Sequence, residues 1–159
     1  MNTNSIAKSV FTHPINFLAF GFGSGLAPKA PGTFGTLVSI PLYWLISDLS
    51  ISRYLATCLI VCLIGIYICG STSKRLKLHD HPGIVWDEFT GFFITMIGIS
   101  FSWTNVIIGF VLFRIFDIFK PWPINWLDKR VKGGLGIMID DIVAGILAMG
   151  SLHLITYFI

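Results

Sequence analysis

An all-α bundle in contact with lipid is the fold that this sequence predicts, and three observations carry it. Of the 159 residues, 54% are hydrophobic and only 12% are charged, whereas an ordinary soluble domain carries about 25% charge. Mean hydropathy is +0.79, which is more apolar surface than the interior of one domain of this length can hide from water. The apolar residues fall in long uncharged stretches without strict alternation and with few helix breakers, a pattern of helix and not of strand. A soluble oligomer with large apolar interfaces is the plainer alternative. The chain reads as a single domain over 1–159, with no linker and no low-complexity tract.

Taken in order, the elements follow from the same pattern. Near the N-terminus Lys8 precedes Phe11, and His13 and Pro14 interrupt any apolar run, so no cleaved signal is expected and the mature protein is read as starting near Met1. Gly21-Phe22-Gly23-Ser24-Gly25-Leu26-Ala27-Pro28 and Pro31-Gly32-Thr33-Phe34-Gly35-Thr36 then form a loop rich in glycine, proline and hydroxyls. Ser24, Thr33 and Thr36 are candidates to hold phosphate or glycerol oxygens; the sober reading is a surface turn in which Thr33 or Thr36 caps the next helix. Leu37–Ser47 and Tyr54–Gly70 are predicted helices joined by a turn around Asp48–Arg53, the second a little short of the roughly 20 residues an upright span needs. Cys58, Cys62 and Cys69 have no His or acid among them and are read as small reduced core residues. His79-Asp80-His81 is read as a polar turn before Pro82. Phe89–Phe113 is long enough to span, but Ser102-Trp103-Thr104-Asn105 breaks it, which predicts a hairpin of two shorter helices. Ile142–Ile159 is the last apolar helix. Gly, Pro and charge collect in Gly21–Thr36, Ser71–Glu88 and Arg114–Asp141.

The eight acids decide where chemistry is sought. Asp87, Glu88, Asp117, Asp140 and Asp141 sit beside or inside apolar sequence, where an unpaired carboxylate costs several kcal/mol and so needs cations. An internal echo supports a shared role: Gly83-Ile84-Val85-Trp86-Asp87-Glu88 precedes Gly91, and Gly136-Ile137-Met138-Ile139-Asp140-Asp141 precedes Gly145. Two similar helix starts presenting paired acids are therefore expected. The bland reading is that Asp87 and Asp140 cap helices while their neighbours favour the positive helix ends. Two pairs plus Asp117 favour a common metal centre, and oxygen-only ligation selects Mg²⁺, Mn²⁺ or Ca²⁺ over zinc. Gly91 and Gly145 would let helices or a ligand approach closely.

Cations match the acids. Arg114 and Lys120 flank Asp117 at helical spacing, and Lys129, Arg130 and Lys132 follow before Gly133, Gly134 and Gly136. Arginine offers a planar fork for phosphate oxygens and lysine a compact charge, although juxtamembrane lysines can serve only to fix orientation. Sharing one metal requires the acid segments to lie on one membrane face, and the break at Ser102–Asn105 supplies the necessary return. Lys29, Lys74, Arg75, Lys77 and the later cations then gather on that face, which the positive-inside tendency makes cytoplasmic. Net charge of only +3 gives no reason to expect a nucleic-acid partner.

Cys69-Gly70-Ser71-Thr72-Ser73-Lys74-Arg75 has the Cys-x5-Arg spacing of cysteine-dependent phosphatases, but here the cysteine ends an apolar helix, where the dipole raises a thiol's pKa. A different set of motifs does carry a resemblance. Gly-Phe-Gly-Ser-Gly-Leu-Ala-Pro, Pro-Gly-Thr-Phe-Gly-Thr, Ile-Val-Trp-Asp-Glu, Phe-Arg-Ile-Phe-Asp-Ile-Phe-Lys-Pro-Trp-Pro-Ile and Gly-Gly-Leu-Gly-Ile-Met-Ile-Asp-Asp-Ile-Val-Ala-Gly together resemble the phosphatidylglycerophosphatase A family, from about Phe20 to about Gly150.

The resemblance implies a bacterial inner-membrane, Mg²⁺-dependent phosphatase that converts phosphatidylglycerophosphate to phosphatidylglycerol, with one central helix surrounded by others. On that footing Mg²⁺ is expected among Asp87, Glu88, Asp140 and Asp141. Arg114 and Lys120 are expected to steady the phosphoryl group, with Lys129 as a further substrate contact. Asp117 is expected as a further ligand, a base, or the partner that holds Arg114. A cation-coupled transporter is the leading alternative outside the enzymes, and a lipid-binding or assembly protein a third.

Overall fold

The computed structural model describes residues 3–78 and 81–158, and among them every regular element is helical, as the continuous apolar runs predict. Two short helices open the chain, α1 (Thr3–Thr12) and α2 (Pro14–Ala19). They divide at His13 because Pro14 cannot donate to a preceding turn yet suits the first turn of a new helix. A 3-10 segment follows over Gly21–Leu26. Its backbone turns left-handed at Gly21 (φ 55) and Gly23 (φ 95), which glycine does without steric cost.

Four helices build the body: α3 (Pro31–Ile46), α4 (Ile51–Leu76), α5 (Trp86–Thr95) and α6 (Trp103–Phe119). The short α7 (Ile124–Arg130) and the long α8 (Gly133–Phe158) complete it. α8 packs against α4, α5, α6 and α7, and so is the central helix that the resemblance implies. Its residues are apolar on nearly every side; the buried side packs against these neighbours, while Ile146 and Leu154 stay exposed. α5 is wedged between α8 and α3, with α4 and α6 beside it. At 10 residues it is about 15 Å long, half the depth of a bilayer's hydrocarbon.

One core joins Tyr43, Tyr54, Phe92, Phe93, Met96, Phe113 and Leu152. A second sits under α1 and α2, around Val10, Phe20, Ile68, Ile137 and Met138. Outside them, α4 turns Leu59, Leu63 and Tyr67 outward. α4 and α8, each of 26 residues, have apolar windows of mean hydropathy 2.1 and 1.8 and are long enough to cross a membrane. Together with the exposed apolar face of α4, they suggest membrane association.

Four boundaries differ from the sequence expectation. α3 begins at Pro31 and not at Leu37, so Pro31–Thr36 is helix and neither Thr33 nor Thr36 caps it; Pro31 suits the first helical turn. α4 runs on from Gly70 to Leu76, because Thr72, Ser73 and Leu76 are buried and the Thr72 hydroxyl donates to Asn16 Oδ1 at 3.1 Å. The predicted hairpin of α5 and α6 is present, but its break lies upstream, at 96–102. Ser102 is the N-cap of α6, its Oγ accepting the Asn105 N–H at 3.1 Å. The expected second helix start is corrected as well. α8 begins at Gly133, so Asp140 and Asp141 lie about two turns inside the helix, while Asp87 and Glu88 do sit in the first turn of α5. Gly134 lets α8 meet α4 closely: a Cβ there would fall 1.9 Å from the Ile66 carbonyl oxygen.

Candidate active site

The start of α5, the end of α6 and the first third of α8 meet at one end of the bundle, with the start of α3 laid over them. Glu88 enters from the first turn of α5, where the positive helix end favours a carboxylate. Its N–H donates to Asp87 Oδ1 at 3.1 Å. From α6, Arg114 Nη1 donates to Glu88 Oε2 and to Asp117 Oδ2, the latter at 2.8 Å across one helical turn. From α8 comes Asp141, only 3% exposed. Glu88, Asp117 and Asp141 each place a carboxylate oxygen within 4.8 Å of the other two. Three carboxylates thus face one guanidinium, leaving an excess of negative charge.

α3 closes this group from above. The Thr36 hydroxyl, fully buried, lies 3.0 Å from both Glu88 Oε2 and the Gly32 carbonyl oxygen. Gly32 is where α3 comes closest: a Cβ there would fall 2.0 Å from Glu88 Oε1 and 3.2 Å from Arg114 Nη1. A second ion pair adjoins the first. α6 stops at Lys120, whose backbone turns left-handed (φ 41) before Pro121. Its Nζ reaches Asp140 Oδ2 at 2.6 Å and Asp128 Oδ2 at 3.5 Å.

Electrostatics follow the geometry. Burial pushes the Glu88 carboxyl up to about 7, although Arg114 and the Thr36 hydroxyl pull it down. Burial works against charge on Arg114, but Glu88 and Asp117 outweigh it and the guanidinium is held more firmly protonated than usual. Lys120 behaves likewise: burial lowers its basicity, Asp140 more than restores it, and the net shift is upward.

Oxygen donors fit a hard divalent cation here. Ligands on opposite sides of one Mg²⁺ stand about 4.2 Å apart and those of Ca²⁺ about 4.6–5.2 Å, so oxygens within 4.8 Å of one another can share one Ca²⁺-sized ion as they stand and need only close in slightly around Mg²⁺. Among the described residues, Asp141 Oδ2 and Asp140 Oδ1 are buried without a hydrogen-bond partner, and a cation answers such orphaned oxygens. Arg114 Nε is also buried and unpartnered, a donor available to an anion.

Of the other residues singled out from the sequence, Asp87 and Asp140 adjoin this group, and the rest lie around or away from it. Asp87 is half-buried beside Glu88, and Asp140 is taken up by Lys120. Thr33 is half-buried in the first turn of α3, next to Gly32. Ser24 Oγ is buried with no partner among the described residues, and Lys129 is exposed on α7. His79 and Asp80 fall outside the described residues, while His81 Nδ1 accepts the Gly83 N–H at 2.9 Å, as in a turn. Cys69 is buried within continuous helix, so no phosphate-cradling loop follows it. Asp128 and the close approach at Gly32 escaped the sequence reading. The one sequence signal for Gly32 is its place between Pro31 and Thr33 at a helix start.

Comparison with known proteins gives one family. Its profile, described as Phosphatidylglycerophosphatase A, matches residues 17–156. A protein of Escherichia coli (strain K12) named Phosphatidylglycerophosphatase A is 48% identical over 153 residues, 94% of this chain and 89% of its own. One of the same name from Haemophilus influenzae is 43% identical over 157 residues, 98% of this chain and 96% of its own. No solved structure matches this chain significantly.

Proposed function

Because the chain belongs to the phosphatidylglycerophosphatase A family, we propose that it hydrolyses the terminal phosphomonoester of phosphatidylglycerophosphate, using one divalent cation, Mg²⁺ by preference, held by Glu88, Asp117 and Asp141. The observation that carries the metal is the convergence of three carboxylate oxygens within 4.8 Å, with Asp141 Oδ2 unpartnered among the described residues. When bound, the cation supplies positive charge to phosphoryl oxygens. Arg114 is fixed by Glu88 and Asp117 and keeps Nε for a phosphoryl oxygen. Lys120, locked between Asp140 and Asp128, sets a second positive charge beside the first. Asp117 serves both to orient Arg114 and to contribute a ligand oxygen. Thr36 and Gly32 hold Glu88 from the α3 side and keep bulk solvent from that edge. The reaction is proposed to take place at the cytoplasmic face of the bacterial inner membrane, where a lipid anchored by its acyl chains need present only its head.

The transporter alternative draws no support from the relatives, and the carboxylates gather at one end of the bundle where a transporter would need a path across it. The test is direct. Purified protein in detergent is given phosphatidylglycerophosphate with Mg²⁺, or with a chelator. Phosphate release that needs Mg²⁺ is expected; release undiminished by the chelator removes the metal from the proposal, and no release under either condition removes the activity.

A further inference from the structure

Next to the carboxylate group lies an open cleft of about 300 Å³, lined by Lys120, Trp122, Asn125, Trp126 and Lys129. Lys120 belongs to both places, since its Nζ also holds Asp140. The cleft is formed by the turn after α6 and by α7. Beyond Lys120, which is already paired with Asp140 and Asp128, Lys129 makes no ion pair among the described residues, and Arg130 lies 4.5 Å over the Trp126 ring. Trp122 is 82% exposed and the neighbouring Phe119 79%. Large exposed aromatics beside lysine and arginine are what a protein presents at the boundary between lipid headgroups and acyl chains.

We propose, resting on the function given above, that this cleft seats the phosphodiester and bridging glycerol of the lipid substrate while the phosphomonoester lies at the carboxylate group. The lipid carries two negative phosphorus centres joined by one glycerol. If the terminal one is at Arg114 and Lys120, the second lies one glycerol away toward the bilayer and needs positive charge and donors there. Lys129 supplies charge, Asn125 an amide to the diester or glycerol, and the Trp122 and Trp126 rings a surface for the first carbons of the acyl chains. The largely apolar, aromatic-rimmed cleft, with lysines at its edge, therefore distinguishes a phospholipid from a small soluble phosphomonoester.

The experiment uses the full-length protein in detergent and two variants at exposed positions, Asn125→Ala and Lys129→Gln. Short-chain dihexanoyl phosphatidylglycerol carries the diester without the monoester, and dihexanoylglycerol carries the same chains without either. Phosphatidylglycerol is expected to compete with phosphatidylglycerophosphate in the wild type, and dihexanoylglycerol not to. Each variant is expected to raise both KM for the substrate and Ki for phosphatidylglycerol by roughly tenfold, the weight of one lost charge-assisted contact, with kcat within about twofold. Unchanged KM and Ki in active variants, or inhibition by dihexanoylglycerol equal to that by phosphatidylglycerol, overturns the cleft assignment alone. A wild type that releases no phosphate overturns the function on which it rests.

Discussion

Asp141 is the side chain on which the proposed cation depends most, since its Oδ2 is buried and has no hydrogen-bond partner among the described residues. Asp141→Asn keeps the shape and removes the charge, so turnover is expected to fall about a hundredfold or more, with helical circular dichroism unchanged. Thr36→Val, which removes the hydroxyl from Glu88, is expected to lower kcat/KM by about tenfold; full activity would show that Glu88 needs no support from α3. Glu88 also makes a pH prediction. Its carboxyl titrates near 7, above its ordinary value of 4.5, so burial favours the protonated form. The metal-free fold has the full benefit of that proton below about pH 4.5 and loses it as pH rises through 7. The melting temperature of chelated protein is therefore expected to fall between pH 5 and 8, and Mg²⁺ to oppose the fall. A chelated protein that becomes more stable over this range would contradict it. That Glu88, Asp117 and Asp141 are candidates for one site was legible because so few acids exist and these lie in apolar sequence, and the fold brings the three together. Which member of the 140/141 pair joins the group was not legible, because adjacent residues on a helix point about 100° apart and only packing fixes the rotation of α8.

Between elements, close approach is set by glycines. Gly134 brings α8 to the α4 backbone, and a Cβ there would fall 1.9 Å from the Ile66 carbonyl oxygen. Gly134→Ala is expected to destabilise the fold by roughly 1–3 kcal/mol, read as a lower melting temperature, whereas Gly150→Ala, where a Cβ meets nothing within 4 Å, is expected to leave it unchanged. The hairpin of α5 and α6 was readable from a polar break in one long apolar run. Its position was not, because Ser102 and Asn105 look like turn residues and act as an N-cap pair. Similarly, Cys69 was separated from the cysteine phosphatases by the helix expected around it, and α4 continues through that segment to Leu76. Cys69→Ser is accordingly expected to keep phosphate release within about threefold of wild type, since the change removes no catalytic group; an inactive protein with native helix content would restore a thiol mechanism.

For the whole molecule, composition foretold the helical class, two long apolar helices suggest the membrane association it led one to expect, and the central position of α8 follows from its lack of a polar face. How many helices cross a bilayer depends on lengths that the apolar runs understated: Tyr54–Gly70 became a helix of 26 residues, because buried polar side chains of the next two turns carry it onward. All three scales meet where carboxylates from α5, α6 and α8 are proposed to share a single divalent ion. Mn²⁺, whose spin can be counted directly, tests it by equilibrium titration of purified wild-type protein and Asp141→Asn. One tightly held ion per chain in the wild type, absent from the variant at the same concentrations, is the predicted result; equal binding by both proteins would contradict it.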